Sequence, residues 1–238
     1  MPTMGKWFGM PCLKVKGRVF AVQSADAVAF KLPREALSQA LEIEGACLFD
    51  PRGTGHPMKE WVQIPAGSAE QWQPFARAAC QYMAGAAQAK KDEIISGLIE
   101  ARRTILEAAE GLAPQERSRV FLGEWSTKEL IAHLIGWDYT NAEAVREILA
   151  GQKPSFWSHY DRDWQSYNAV LVAKYGRDDW MELMSAVHQS HRQLIDYLRT
   201  IPADEYLRKR KMVSLLQVET RDERTHHQQI VRFDSRLG

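Results

Sequence analysis

Apolar and polar positions follow two different periods along this chain. Over Cys12-Leu13-Lys14-Val15-Lys16 they alternate, Gly17 breaks the run, and Arg18-Val19-Phe20-Ala21-Val22 resumes it. Ser24-Ala25-Asp26 reads as a turn, and Ala27-Val28-Ala29-Phe30-Lys31-Leu32 as a third run. Period-two patterns joined by short polar turns predict an antiparallel meander. Pro33 predicts the opening of a helix through about Leu41, because proline is tolerated in a first turn. Ala46-Cys47-Leu48-Phe49 and Glu60-Trp61-Val62-Gln63-Ile64 predict two more strands around the loop from Asp50 to Pro57. Ser68 with Gln71 has capping-box spacing, which predicts a helix running to about Met83.

Beyond Lys90 the strand signals vanish and a 3.6-residue stride replaces them. Ile94, Ile95, Leu98, Ile99, Ile105 and Leu106 stripe a helix that should end near Gly111. Ser126 and Glu129 form a second capping-box pair, opening a helix through Leu130, Ile131, Leu134, Ile135 and Trp137 towards Gly151. A shorter piece runs from Asp161 to about Tyr175, and a third long helix from Asp178 or Asp179 to Pro202. The last extends from about Val213 to Phe233. The fold class predicted is two domains: α+β, an antiparallel sheet with flanking helices, followed by an all-α four-helix bundle. The boundaries are 1–83 for the first domain, 84–89 for a linker and 90–238 for the bundle. The small residues of 84–89 suit either a flexible connection or a helix running on.

Composition narrows the function classes. With 238 residues, 45% hydrophobic and 26% charged, the chain can bury a core in each domain. Its net charge of +1 leaves no field that would gather nucleic acid or anionic lipid. Cys12, Cys47 and Cys80 are too few and too widely spaced for a disulfide framework or a zinc knuckle, and read as small buried hydrophobes. No apolar run approaches the ~18 residues a membrane helix needs, and no signal peptide is apparent. A cytoplasmic protein without a membrane partner is expected.

Candidate chemistry sits in the helical part. His133 lies in the most apolar stretch of the second helix, where a histidine is either a satisfied core residue or a ligand. In the final helix Asp222 and His226 are i,i+4, with Glu219 one turn earlier; Glu223 and His227 form a second such pair, rotated by ~100°. One carboxylate and two imidazoles, Asp222, His226 and His133, would hold a divalent metal with positions left open for water or substrate. The alternative is a solvated polar face. His188 and His191 sit among polar neighbours and read as surface. Arg52 to His56 could cradle an anion or simply connect two strands. Five of the eight tryptophans, Trp125, Trp137, Trp157, Trp164 and Trp180, fall in this part, where core packing is the first reading and a ligand pocket the second.

Two resemblances extend this picture. Met10-Pro11-Cys12-Leu13-Lys14-Val15, Gly17-Arg18-Val19-Phe20-Ala21, Lys31-Leu32-Pro33, Phe49-Asp50-Pro51 and Met58-Lys59-Glu60-Trp61-Val62 occur in an order that resembles the TfoX N-terminal/YjbR (MmcQ-like) domains. That likeness implies an accessory α+β domain. The stretch Trp125-Ser126-Thr127-Lys128-Glu129-Leu130-Ile131-Ala132-His133-Leu134-Ile135-Gly136-Trp137-Asp138 and the helix ending His226-His227-Gln228-Gln229-Ile230 resemble the DinB-like four-helix-bundle superfamily, closest in flavour to its ClbS/DfsB group. Metal-binding relatives use one histidine of the second helix and two, four apart, on the last. His133 and His226 occupy two of those positions and Asp222 stands at the third. A carboxylate there shifts preference from zinc or nickel towards manganese or iron.

The resemblance implies a metal-dependent enzyme, thiol transferase or hydrolase-like, acting on a small reactive or electrophilic molecule. The alternative it implies is a metal-free ClbS/DfsB-like binding or resistance protein for a toxic metabolite. A regulatory or interaction protein is the third reading. The expected partner is a small molecule, a homodimer is a candidate state, and nucleic acid is the weakest partner class.

Overall fold

The computed structural model describes residues 2–160 and 162–237. The chain divides into two compact units, 1–89 and 90–238. Strands β1 (Thr3–Trp7), β2 (Met10–Val15), β3 (Arg18–Ser24), β4 (Ala27–Lys31), β5 (Cys47–Leu48) and β6 (Trp61–Pro65) form one antiparallel sheet in the order β1-β2-β3-β4-β6-β5. The first two hairpins close through Phe8-Gly9 and Lys16-Gly17, all four residues having positive φ (49°, 79°, 49° and 74°). Two consecutive left-handed residues make the turn whose twist suits a hairpin, and glycine takes the second place without strain. Strand β1 adds to the predicted meander. It is an edge strand with Thr3, Met4 and Lys6 exposed, so it carries no alternation to read.

One face of the sheet buries Phe20, Phe30, Leu32, Val62 and Ile64 against Ala40 of α1 (Arg34–Leu41) and Ala79 and Met83 of α2 (Trp72–Gly111). The other buries Cys12, Val22, Ala29, Phe49 and Trp61, with Trp7 stacked on Trp61 at 4.9 Å. Of the three cysteines only Cys12 is buried; Cys47 is exposed and Cys80 half-buried, a correction to their reading as core residues. In the loop after Phe49 the Asp50 carboxylate accepts from the amides of Arg52 (3.2 Å) and Gly55 (2.7 Å). The loop's own side chain thus takes the donors that an external anion would need.

Ser68 does not cap a helix. Residues 66–71 form a 3-10 turn with Ser68 at φ −118°, ψ 31°, and α2 begins at Trp72. Pro74 explains the shift: starting at 72 keeps it in the first turn, where no intrahelical N–H is required. Residues 84–89 are helical, within α2.

In the second unit the remaining helices are α3 (Thr127–Leu149), α4 (Trp157–Tyr160), α5 (Trp164–Tyr175), α6 (Trp180–Thr200), α7 (Glu205–Arg208) and α8 (Arg210–Asp234). The capping box predicted at the start of α3 is formed: the Ser126 amide donates to Glu129 Oε2 at 2.8 Å, and the Ser126 hydroxyl oxygen accepts from the Lys128 amide at 3.2 Å. Asp163 caps α5 and Asp179 caps α6. Asp161, the expected start of the shorter helix, lies outside the described residues. The short α4 and α7 were not legible, since a single turn carries no period. Among the described residues no helix is long and apolar enough to cross a membrane.

The long helices α2, α3, α6 and α8 share two apolar layers. One gathers Ile94, Leu98, Val145, Leu194, Leu198 and Leu216; the other gathers Ile105, Leu130, Leu134, Leu183, Val187 and Ile230. On every one of these helices a buried polar residue sits between the two layers: Arg102, Asp138, Ser190, and Glu219 with Glu223. Beside them α5 comes close to α3 at Gly136, where an added Cβ would lie 2.6 Å from the Leu171 Cβ. We expect Gly136→Ala to cost about 1–3 kcal/mol in urea unfolding, because the clash is with a Cβ fixed to the α5 backbone and not a flexible tip.

Candidate functional site

The polar layer is built around one guanidinium. Arg102, 2% exposed, donates from Nη1 to Asp138 Oδ2 (2.8 Å) and from Nη2 to Asp138 Oδ1 (3.0 Å). Its Nη2 and Nε also reach Glu223 Oε1, at 2.6 and 3.1 Å. Ser190 Oγ donates to Asp138 Oδ2 at 2.6 Å, and His191 Nδ1 stands 3.5 Å from Asp138 Oδ1. A buried charge survives only when paired and hydrogen-bonded, and Arg102 meets that condition twice over. Burial works against its charge, but Asp138 and Glu223 more than offset this and raise its pKa. Burial would raise the Asp138 carboxyl; Arg102 and His191 bring it below the ordinary range instead. Glu223 is raised by burial despite Arg102, and its second oxygen, Oε2, has no hydrogen-bond partner.

Glu219 lies one turn before Glu223 on α8 and is 8% exposed. Burial first, then repulsion from Glu223 and Asp138, pushes its carboxyl up to about 8, so near neutral pH it keeps its proton. Asn141 of α3 stands beside Glu219 and tempers the rise of its carboxyl, yet by distance and angle neither its amide nitrogen nor its oxygen completes a hydrogen bond, although the residue is fully buried.

Asn141, Glu219 and Glu223 floor a cavity of about 1110 Å³. Trp125, Trp137, Phe156, Trp157 and Trp164 form its apolar side; His133, Asn141, Glu219, Asp222, Glu223 and His226 its polar side. A ligand pocket needs this combination of apolar walls with a few placed polar groups. Four of the five tryptophans of the bundle region therefore line a cavity and do not pack the core. The fifth, Trp180, carries the Arg117 guanidinium 4.4 Å over its ring.

The three candidate metal ligands all line this cavity. His133 and His226 meet edge to face, their ring centroids 5.6 Å apart at 86°. Trp125 flanks His133 at 4.8 Å. His133 is 8% exposed, and its Nδ1 has no hydrogen-bond partner. Burial, then His226 and Arg102, lowers its pKa to about 3, so the imidazole is neutral. His226 Nδ1 lies 2.7 Å from Gln229 Oε1, which holds the ring in place. Asp222 is exposed at the cavity's edge. The donor types suit a divalent ion, but the spacing does not complete a site: among the described residues no three His, Cys, Asp or Glu side chains are gathered closely enough to hold one.

Sequence reasoning missed the guanidinium and Asp138, and took Glu223 only as half of a pair with His227. His191, read as surface, has a side chain 12% exposed against Asp138, whereas His188 is exposed as expected. The missed signal is positional. Arg102 falls on the Leu98–Ile105 stripe, Asp138 on the Ile135–Ala142 stripe, and Glu219 and Glu223 between Leu216 and Ile230. Charged residues in phase with a core stripe point to an internal network and not to a solvated face.

The fold and the site thus define a helical bundle with an internal, ligand-sized cavity. The family model described as the DinB superfamily matches residues 98–230, more than half of the chain and all within the second unit. The chain belongs to the DinB superfamily. No curated protein and no solved structure matches it.

Two expectations follow from the polar layer. Arg102→Leu strands two buried carboxyl groups and should cost about 3–5 kcal/mol in denaturant unfolding. Arg103→Leu, which removes only exposed pairs to Glu100 and Glu107, should leave the midpoint unmoved. Glu219 has a folded pKa above its ordinary 4.5. The stability it contributes is complete below that value and is lost as pH rises through about 8. Glu219→Gln cannot ionise, so its unfolding free energy should fall less than that of the wild type between about pH 6 and about pH 9.

Proposed function

We propose that the bundle cavity receives a small electrophilic molecule and processes it, as a transferase or a hydrolase, against the polar floor. The observation that carries this reading is the meeting, inside one aromatic-walled cavity, of a buried imidazole with an unpartnered nitrogen and a buried carboxylic acid. His133 and His226 bring ring nitrogens to the substrate. Glu219 holds a proton that it can give to a developing anion. The tryptophan rings and Phe156 bind the apolar body and exclude water.

A divalent ion, zinc, nickel, manganese or iron, belongs to this reading. His133, His226 and Asp222 are the residues that would hold it, and when bound it would polarise the substrate or activate water or a thiol. The neutral His133 ring and its closeness to His226 support this; the spacing of the three donors is the point to be tested. Full-length protein purified with metal present should carry about one equivalent by elemental analysis, lost on His133→Ala. Less than roughly a tenth of an equivalent, unchanged by that substitution, overturns the metal-dependent form.

The aromatic wall and the ungathered donors favour a second reading, a metal-free ClbS/DfsB-like protein that binds or sequesters a toxic metabolite. A panel of small electrophiles should then quench the tryptophan fluorescence of chelator-treated protein with no product formed, whereas product formation restored by metal selects the enzyme. We read the first unit as an accessory TfoX N-terminal/YjbR-like domain, a reading supported by its antiparallel meander and flanking helices. A regulatory role through nucleic acid requires a salt-dependent mobility shift, which the near-neutral charge argues against.

A further inference from the structure

The inner end of the cavity has an imbalance that its own residues do not resolve. Three carboxyl groups, Asp138 from α3 and Glu219 and Glu223 from α8, surround one guanidinium, Arg102 from α2. From α6 they are faced by Ser190 and His191, and the Ser190 hydroxyl is already spent on Asp138. All three Arg102 nitrogens are committed to carboxylates, so little of the guanidinium is left for an anionic ligand. What remains open is two acceptors, Glu223 Oε2 and Asn141 Oδ1, beside one donor, the Asn141 amide nitrogen; all three atoms are buried without partners, and both residues line the cavity. Asn141 is an independent sign of a ligand, since a fully buried amide with neither atom paired is costly unless something occupies the space before it.

We propose that this inner end is a recognition site for a protonated amine, its nitrogen seated among Asn141, Glu219 and Glu223. The inference rests on the reading that the cavity takes a small molecule, and it names that molecule's class: an apolar or aromatic body carrying an ammonium group. An ammonium offers three donors and no acceptor, matching the unpaired oxygens. It also brings a positive charge against which Glu219 can give up its proton, beside the Asp138 and Glu223 carboxylates that the single Arg102 charge balances only in part. The rings of Trp125 and Trp137 line the same cavity, and an indole favours a cation over an anion. A neutral alcohol of the same shape supplies one donor and no charge.

The test compares phenethylamine with 2-phenylethanol as probes of the full chain, by tryptophan fluorescence and calorimetry near neutral pH. The amine should bind at least about tenfold more tightly than the alcohol. Glu219→Gln keeps the shape of the protonated acid but cannot give up a proton to face an ammonium, so it should reduce that preference several-fold and leave the alcohol's affinity unchanged. Equal affinities, or binding of the alcohol alone, overturn the amine site and leave the cavity reading standing. Silence from both probes also overturns the amine site; the cavity reading falls with it only if the electrophile panel is silent too. The comparison on the wild-type chain decides the question even if the variant folds poorly.

Discussion

A guanidinium in the interior of a helical bundle is tolerated only where its partners arrive together, and Arg102 imposes that condition on the whole second unit. Asp138 meets it with two parallel hydrogen bonds and Glu223 with two more to a single oxygen. Sliding α3 or α8 by one turn would separate charges in a medium that cannot screen them, whereas apolar side chains alone would accept several registers. The ion cluster therefore selects one alignment of helices from those that the leucine and isoleucine layers on either side would permit. Its contribution is to uniqueness more than to net stability, because the desolvation of three charged groups offsets much of the attraction between them.

The same alignment produces the cavity. Glu219 shares its face of α8 with Glu223, so fixing the latter places the former at the cavity floor. Asn141 lies nearly one turn beyond Asp138 on α3, and His133 lies a little over one turn before it. A structural ion cluster and a wall of candidate reacting groups are thus continuous, and the unusual proton affinity of Glu219 arises from that shared boundary. Reacting groups inherit their environment from the scaffold that positions them.

Much of the architecture could be read from the chain because periodicity reports burial. Alternation marked strands β2, β3, β4 and β6, and the 3.6 stride marked all four long helices. Elements with little to bury escaped: edge strand β1, and the single turns α4 and α7. Ser68 failed where Ser126 succeeded because spacing alone does not set a helix start; Pro74 fixed it three residues on. At the site, His133 and His226 were legible since histidine is chemically conspicuous. Arg102 and Asp138 were not, because a charged side chain is ordinarily taken for a solvated one. Only its phase with the core stripe distinguishes a buried cation from a surface one.

Gly136 carries an implication for selectivity. It faces Leu171 of α5, the helix that also bears Trp164, a residue of the cavity's apolar side. The absence of a side chain at 136 sets how far α5 stands from α3, and so how wide the aromatic enclosure is. The spacing of two cavity-bearing helices thus depends on a residue that offers no functional group. Exchanging volume between positions 136 and 171 would alter the width of the enclosure through residues that make none of the polar contacts of the buried ion cluster.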